Sequence, residues 1–371
     1  MKRLGYELVI MDKQLYSVDY DTDYLTALCE LIKSNPDADC VFTVNFQPII
    51  ARGCKLFKLP YLSWTVDCPS FPLYSETLAY PTNRVFLLDR LQTEKFSPVN
   101  PGHIFHLPMA CDLETWDSVR VTPEERRRYS CDISFIGSLY SEKCKYNQIA
   151  GELPDYMRGY VDGLISAQLN VYGYNFIEDS ISDEWAMEFK KHVDWDALGE
   201  DYTEDVKGII ADTYIGYKCT EQDRIRTLNA IGEHFNIDLW TLSDTKMLKG
   251  VNVRGGADSN HMMPQIIKCS KINLNMTNWP IKTGLPLRIF DLIGAGGFVL
   301  SNYQVEIPDF FTPDEDIVMY DSMPDMLGKI DYYLTHEDER IQIAEHGHET
   351  IRKYHTYDIR IQQMLEASGL L

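Results

Sequence analysis

The sequence predicts an α/β protein made of two Rossmann-like domains. Short apolar, β-branched runs recur roughly every 20 to 30 residues with helix-like segments between them, the spacing of a parallel sheet built from βα units. The pattern resumes after a polar connector, and 371 residues exceed what a single small core needs.

In the first half the runs are YELVIM (6–11), CVFTVN (40–45), YLSWTV (61–66), RVFLLD (84–89) and HIFHLP (103–108). Read as strands, they give a domain of about five strands. Helices are expected near 24–32, where Leu25, Leu28, Cys29 and Ile32 share a face, and across Pro48–Phe57. The opening MKRLGYEL reads as the tail of a helix entering a strand, so the usual first strand is missing or encoded upstream. The segment YLSWTVDCPSFPLY (61–74) runs a strand into Asp67 and an irregular loop, at the end of a strand where open α/β sheets bind ligands. Asp67 is either a general base or substrate-orienting carboxylate, or a residue that caps the loop backbone.

HLPMACD (106–112) closes this domain, and LETWDSVRVTPEERRRYS connects it to the next. The expected division is 1–120, then 121–355 with a helical insertion near 150–235, then a helix over 356–371 that packs near the interdomain seam. In the connector, Arg126, Arg127 and Arg128 form the only basic triplet, a solvated helix face before it is a phosphate site.

The second domain begins with CDISFIGSLYSEK (131–143): a strand over Ile133–Ile136, a turn at Gly137 and Ser138, and a helix bearing Lys143 and Lys145. A strand, a Gly turn and a nearby Lys make either a phosphate-binding turn or an ordinary βα turn. Residues 150–235 read as helical and acidic, with Ile225, Leu228 and Ile231 on one face of the best amphipathic segment. NIDLWTL (236–242) reads as a strand, 251–260 as a loop, 262–269 as a short helix and KINLNM (271–276) as a strand. DIVMY (316–320) is the last strand, and helices are expected at 323–335, 337–354 and 357–368. His346, His348 and His355 in that tail are surface or capping histidines, since no acid or Cys accompanies them at metal-ligand spacing.

The stretch TGLPLRIFDLIGAGGFVLSNY (283–303) compresses a loop, a helix and a buried strand, and its ionisable side chains are Arg288 and Asp291. Leu287, Phe290, Asp291 and Gly294 share a helical face, so the carboxylate sits at the edge of the packing side. Gly294, Gly296 and Gly297 end the helix and admit close backbone approach. An Arg at a helix start, an acid in its first turns and a Gly-rich exit suit a phosphorylated sugar nucleotide. The alternative for Arg288 is a salt bridge to a nearby acid such as Asp291.

Composition narrows the function. The formal charge of -21 and pI near 4.8 argue against a nucleic-acid backbone or an anionic membrane as partner, while leaving room for a small anionic ligand held by a local cationic cluster. Nine cysteines occur without CxxC or zinc-type spacing, as expected of free thiols in a reducing compartment. No apolar run approaches a membrane span and no signal-peptide pattern opens the chain. The expected location is the cytoplasm.

Two Rossmann-like halves, a donor-type cradle in the second and a helical tail together resemble the GT-B glycosyltransferases. More closely, NFQPIIARGCKLFKLPYLSWTVDCP, RVFLLDR, HLPMACD, CDISFIGSLY, KINLNMTNWPIKTGLPLRIFDLIGAGGFVLSNYQVEIPDFF and YYLTHEDERIQIAEHGHETIRKYHTY resemble the spore maturation protein B family, over nearly the whole chain except 150–235. The resemblance implies GT-B architecture with an interdomain cleft and hexosyl transfer without a metal or other cofactor. The donor is a nucleotide sugar, UDP-linked, held by the second domain; the acceptor is a glycan or protein held largely by the first. Together with the motifs read above, the expected donor-site positions are Gly137, Ser138, Lys143, Asn275, Thr283, Gly284, Arg288 and Asp291, with Asp67 and Arg288 as the expected catalytic pair. Family 4 glycosyltransferases mark this site with two Glu separated by seven residues. Here Asp291 falls on the second position and Thr283 on the first, so one acid is shortened and the other lost, which leaves inverting or retaining transfer open. Two rivals stand beside this reading: a nucleotide-sugar epimerase, and a non-catalytic spore or surface assembly protein that keeps the fold.

Overall fold

A computed structural model describes residues 1–193 and 201–371. They form two compact units. The first comprises Met1–Met109, residues 201–205 and Tyr357–Leu371; the second comprises residues 110–193 and Val206–Thr356.

The first unit is built on a parallel sheet of β1 (Val41–Val44), β2 (Tyr61–Thr65), β3 (Asn83–Leu87) and β4 (Ile104–His106), in the order β1-β2-β3-β4. Its helices start where side chains satisfy the orphan N–H groups of a first turn. Asp21 accepts from Tyr24 at the head of Thr22–Ser34, Pro48 opens Pro48–Phe57, and Asp89 accepts from Gln92 at the head of Arg90–Phe96. Apolar faces from these helices and the central strands meet in one core around Leu28, Ile49, Ile50, Tyr61, Val85 and Leu87. The terminal helix Tyr357–Ser368 belongs here too: the buried Arg360 guanidinium donates to the carbonyls of Pro108 (3.1 Å) and Met109 (3.2 Å), just beyond β4. Burial pushes the Arg360 pKa down to about 10.

The expected strand over 6–11 does not form, so this sheet has four strands among the described residues rather than about five. Val9 and Ile10 are 54% and 74% exposed. A β-prone run becomes a strand only when a neighbour pairs with it, and this one finds none.

The second unit contains a six-stranded parallel sheet: β5 (Cys131–Ile136), β6 (Ile237–Trp240), β7 (Asn252–Gly255), β8 (Ser270–Asn275), β9 (Val299–Asn302) and β10 (Val318–Tyr320). The order is β10-β9-β8-β5-β6-β7. From β5 the chain winds outward through β6 and β7, returns to β8 on the other side of β5, and winds outward again. The β5/β8 boundary is therefore the topological switch point, the place where doubly wound sheets bind ligands beyond their carboxyl ends. Ile133, Phe135, Leu239, Ile272, Leu274, Leu300 and Val318 fill the core. Inside it, an amide ladder ties three strands together: Ser134 Oγ donates to Asn273 Oδ1 (3.0 Å), and Asn275 Nδ2 donates to Ser301 Oγ (2.9 Å).

Two local expectations change here. Residues 251–260 contain β7, an edge strand too polar and exposed to show as an apolar run. The helix expected after Gly137 is replaced by an irregular turn, and the next helix is Tyr146–Ile149. Ser138 Oγ captures the Tyr140 N–H (2.8 Å) and Tyr140 adopts a φ of 69°, so the hydroxyl supplies the turn with a partner that a helix would have taken from the backbone. The helices at Met323–Thr335, Glu337–Tyr354 and Tyr357–Ser368 form as expected. Among the described residues no helix is long and apolar enough to cross a membrane.

Candidate functional site

A cavity of about 510 Å³ opens at the carboxyl end of the second sheet. Ile136, Gly137, Ser138, Glu142 and Lys143 line it from the β5 exit, Trp240, Thr241, Leu242 and Ser243 from β6, Gly256, Ala257 and Asp258 from β7, and Arg288 from the helix that follows β8. The strand order alone brings these segments together. Side chains then fasten the exits to one another. The Gly137 N–H donates to the Trp240 carbonyl (3.1 Å), and the Leu139 N–H donates to Ser243 Oγ (2.8 Å).

Arg288 is the second residue of the helix Leu287–Gly294. Its guanidinium contacts the Met263 sulfur, and among the described residues no carboxylate lies within salt-bridge distance of it. Burial pushes its pKa down, with Asp291 pulling the other way. Lys143 rests its ammonium 4.9 Å from the Tyr140 ring. Glu142 accepts from Ser138 Oγ (2.5 Å). Burial raises the Glu142 carboxyl, but the Ser138 hydroxyl, its own backbone N–H and the hydroxyls of Ser243 and Ser141 together outweigh it and hold the group below the usual range. The wall thus offers cations, an ionised carboxylate and hydroxyls. That mixture suits a ligand that is anionic at one end and rich in hydroxyls at the other.

Asp291 lies one turn beyond Arg288 and outside the cavity lining. Burial pushes its pKa up to about 7, against the pull of Arg288 and the Trp116 indole. The thiol of Cys111 is raised by burial and by this same carboxylate. The packing there is close: a Cβ on Gly294 would stand 2.1 Å from the Cys111 sulfur, and Gly296, with φ +81°, turns the chain out of the helix.

The remaining candidates divide as follows. Asn275 spends its side chain on Ser301 and Thr277 within the sheet. Thr283 and Gly284 are buried in the β8 exit loop, where their carbonyls accept from the Glu306 N–H (3.3 Å) and from Gln304 Nε2 (3.2 Å). Asp67 belongs to the first unit. It is exposed at the exit of β2 and accepts from Asn45 Nδ2 (2.6 Å), while Asn45 Oδ1 takes the backbone N–H groups of Val66 and Asp67. The carboxylate itself does not cap the loop; the neighbouring amide does, and it orients Asp67. Arg126, Arg127 and Arg128 are exposed on the helix Pro123–Tyr129. His346 pairs with Asp316 (2.6 Å), His348 with Asp117 (3.1 Å), and His355 with the Phe310 carbonyl (2.9 Å). Among the described residues no group of three His, Cys, Asp or Glu side chains is placed to hold a metal ion.

Sequence reasoning passed over Glu142, Ser243 and Arg224. Arg224 interrupts the amphipathic helix Tyr217–His234 and is 8% exposed, donating to the carbonyls of Ser138 (2.6 Å) and Met276 (2.7 Å). A basic residue beside the apolar positions 225, 228 and 231 was the available signal.

With this geometry in place, the comparisons are decisive for part of the chain. Residues 223–366 match a family model described as glycosyl transferase-like. The glycosyl transferase-like segment takes in the Arg288 helix and strands β6 to β10, more than half of the cavity wall. The fold agrees. A glycosyltransferase from Rickettsia africae ESF-5 superposes with a TM-score of 0.51 at 12% identity, over 99% of this chain and 86% of that one. An alpha-glucosyltransferase in complex with UDP-glucose and DNA containing an abasic site gives 0.50 at 10% identity, over 96% and 89%. These likenesses establish a two-sheet fold of the GT-B glycosyltransferase type around the glycosyl transferase-like segment. No curated protein matches the chain.

Proposed function

We propose that the protein is a glycosyltransferase that holds a nucleotide-sugar donor in the second-unit cavity and passes the sugar to a glycan or protein acceptor. The observation that carries this reading is Arg288: a half-buried, partly desolvated guanidinium without a carboxylate at salt-bridge distance among the described residues, lining a switch-point cavity within the glycosyl transferase-like segment. A buried charge is costly until something pairs with it, and a donor diphosphate is the fitting counter-charge. Lys143 and the Gly137–Ser138 turn complete the cradle. In this reading the leaving group is neutralised by these side chains, without a metal. Glu142 is a carboxylate in the cavity wall for sugar or ribose hydroxyls, and Asp291, outside that lining, is the ribose candidate on the sequence resemblance. Sequence resemblance points further, to the spore maturation protein B family, and nine free cysteines accord with a cytoplasmic setting.

UDP is the first nucleotide to try, on the sequence resemblance and because a structural neighbour carries UDP-glucose. Thermal denaturation with UDP, GDP, ADP and UDP-glucose tests the reading. A ligand present at 100 times its Kd adds about 2.7 kcal/mol of stability, a clear rise in Tm. No shift with any nucleotide would sink the donor site. Release of nucleoside diphosphate from the shifting donor then separates a transferase from a scaffold that keeps the fold, and NMR of the recovered sugar detects an epimerase.

Asp67 is assigned the acceptor hydroxyl's proton if transfer inverts the anomeric carbon. Asp67→Asn keeps an oxygen that accepts from Asn45 Nδ2 and leaves the fold intact, and lowers turnover by about 100-fold, the weight of a positioned general base. Near-normal turnover in that variant makes Asp67 structural or the transfer retaining.

A further inference from the structure

Behind the cavity wall the Arg224 guanidinium makes an arrangement that the donor reading does not require. It is buried, yet among the described residues no carboxylate lies within salt-bridge distance. Its neighbour Asp223 is committed to Arg226 (2.8 Å) and to the Tyr172 hydroxyl (3.1 Å). Two guanidinium donors go to carbonyls on opposite sides of the switch point, Ser138 after β5 and Met276 after β8, and Nε has no partner. The rings of Tyr140 (4.7 Å) and Phe135 (5.4 Å) lie against the cation.

The peptide linking Ser138 to Leu139 is consequently held at both ends. Arg224 takes its carbonyl, and Ser243 Oγ takes its N–H. A peptide unit is rigid, so fixing both polar ends fixes its plane. With that plane set, the Ser138 hydroxyl is held where it meets Glu142, and the turn that carries Lys143 is held with it. Arg224 and Arg288 are also near enough to repel each other electrostatically. A buried cation behind the wall and a half-buried one in it, neither in salt-bridge contact with a carboxylate among the described residues, favour the arrival of an anion beside them.

We propose that Arg224 is a positioning residue for diphosphate binding: without touching the ligand, it locks the Ser138–Leu139 peptide across the switch point and adds positive charge behind the cavity wall. The proposal rests on the reading of the cavity as a diphosphate site. It does not depend on the ligand being a sugar nucleotide.

The test measures binding of inorganic pyrophosphate, UDP and uridine to the full chain by calorimetry, for wild type and Arg224→Lys, with circular dichroism as the check on folding. A lysine keeps the charge but cannot reach both carbonyls as a planar fork does. Pyrophosphate and UDP are expected to bind the variant about ten-fold more weakly, the scale of one charge-assisted hydrogen bond, while uridine stays within about two-fold. Equal weakening of UDP and uridine would mean a merely structural role, and unchanged pyrophosphate binding would remove the role altogether; either overturns the proposal, as does a wild type that ignores pyrophosphate. If pyrophosphate binds and is lost in the variant while neither UDP nor any nucleotide sugar binds, Arg224 keeps its role and the glycosyltransferase reading falls. Should Arg224→Lys fail to fold, Ser243→Ala releases the other end of the same peptide. It should weaken pyrophosphate several-fold, and unaltered binding there counts against the proposal.

Discussion

Arg288→Ala is expected to lower turnover by about 100-fold while leaving the protein folded and no less stable. The first half of that expectation follows from where charge develops. As the glycosidic bond to the donor breaks, the diphosphate gains negative charge, and a preorganised donor aimed at such a charge contributes about 3 to 4 kcal/mol to the transition state. On the proposed reading Arg288 serves that charge from the start of the helix Leu287–Gly294, whose first N–H groups add to the positive potential. The second half follows from what surrounds it. The guanidinium is desolvated, it repels Arg224, and no ion pair is lost among the described residues when it goes. Removing it therefore costs packing against Met263 and its pull on Asp291, and relieves a desolvated charge that no carboxylate contacts among the described residues. Steady-state release of nucleoside diphosphate, with thermal denaturation beside it, reads both halves. A hundred-fold loss with an unaltered melting profile places Arg288 in the transition state, and unchanged turnover takes it out of the mechanism.

How much of this was legible in the sequence depended on burial. Strands β5, β6, β8 and β9 stand in the middle of a covered sheet and are largely apolar on both faces, so they appear as runs such as DISFI, IDLW and INLN. β7 and the segment 6–11 show the limit. One is a strand whose exposed edge leaves no apolar signature, the other a β-prone run without a neighbour; pairing is a tertiary fact that local composition does not carry. The same limit governs the site. Gly137, Ser138, Lys143 and Arg288 could be picked out by residue type and position, and the strand order places them around one cavity. Asn275 has the same outward chemistry, but its amide is consumed by Ser301 and Thr277 inside the sheet. Arg224 was invisible for the converse reason. Its importance lies in two carbonyls 86 and 52 residues away in the chain, joined only by the fold.

Asp291 provides the second large effect, and it depends on pH. Burial raises its folded pKa from the ordinary 3.8 to about 7. Between those values the folded protein binds a proton that the unfolded chain has released, so this group's contribution to stability is complete below about pH 4 and is lost as pH rises through 7. Asp291→Asn removes the titration and keeps the shape. At about pH 4 and below the variant should differ little from wild type, and at pH 8 it should be the more stable by up to about 4 kcal/mol. Urea unfolding at the two pH values measures the difference, and an equal effect at both would show that Asp291 does not titrate in this window. The ribose role predicts the opposite sign for binding. An ionised carboxylate accepts two hydroxyl hydrogen bonds where an amide accepts through one oxygen, so UDP should bind wild type more tightly at pH 8 than at pH 6, and Asp291→Asn should lose both the affinity and its pH dependence. A variant more stable at pH 8 yet weaker for UDP means that the chain keeps a buried, strained carboxylate for the ligand's benefit. A variant more stable and equally good at binding assigns Asp291 to packing against Trp116 and Cys111 and leaves Glu142, already ionised in the cavity wall, as the carboxylate for the ribose.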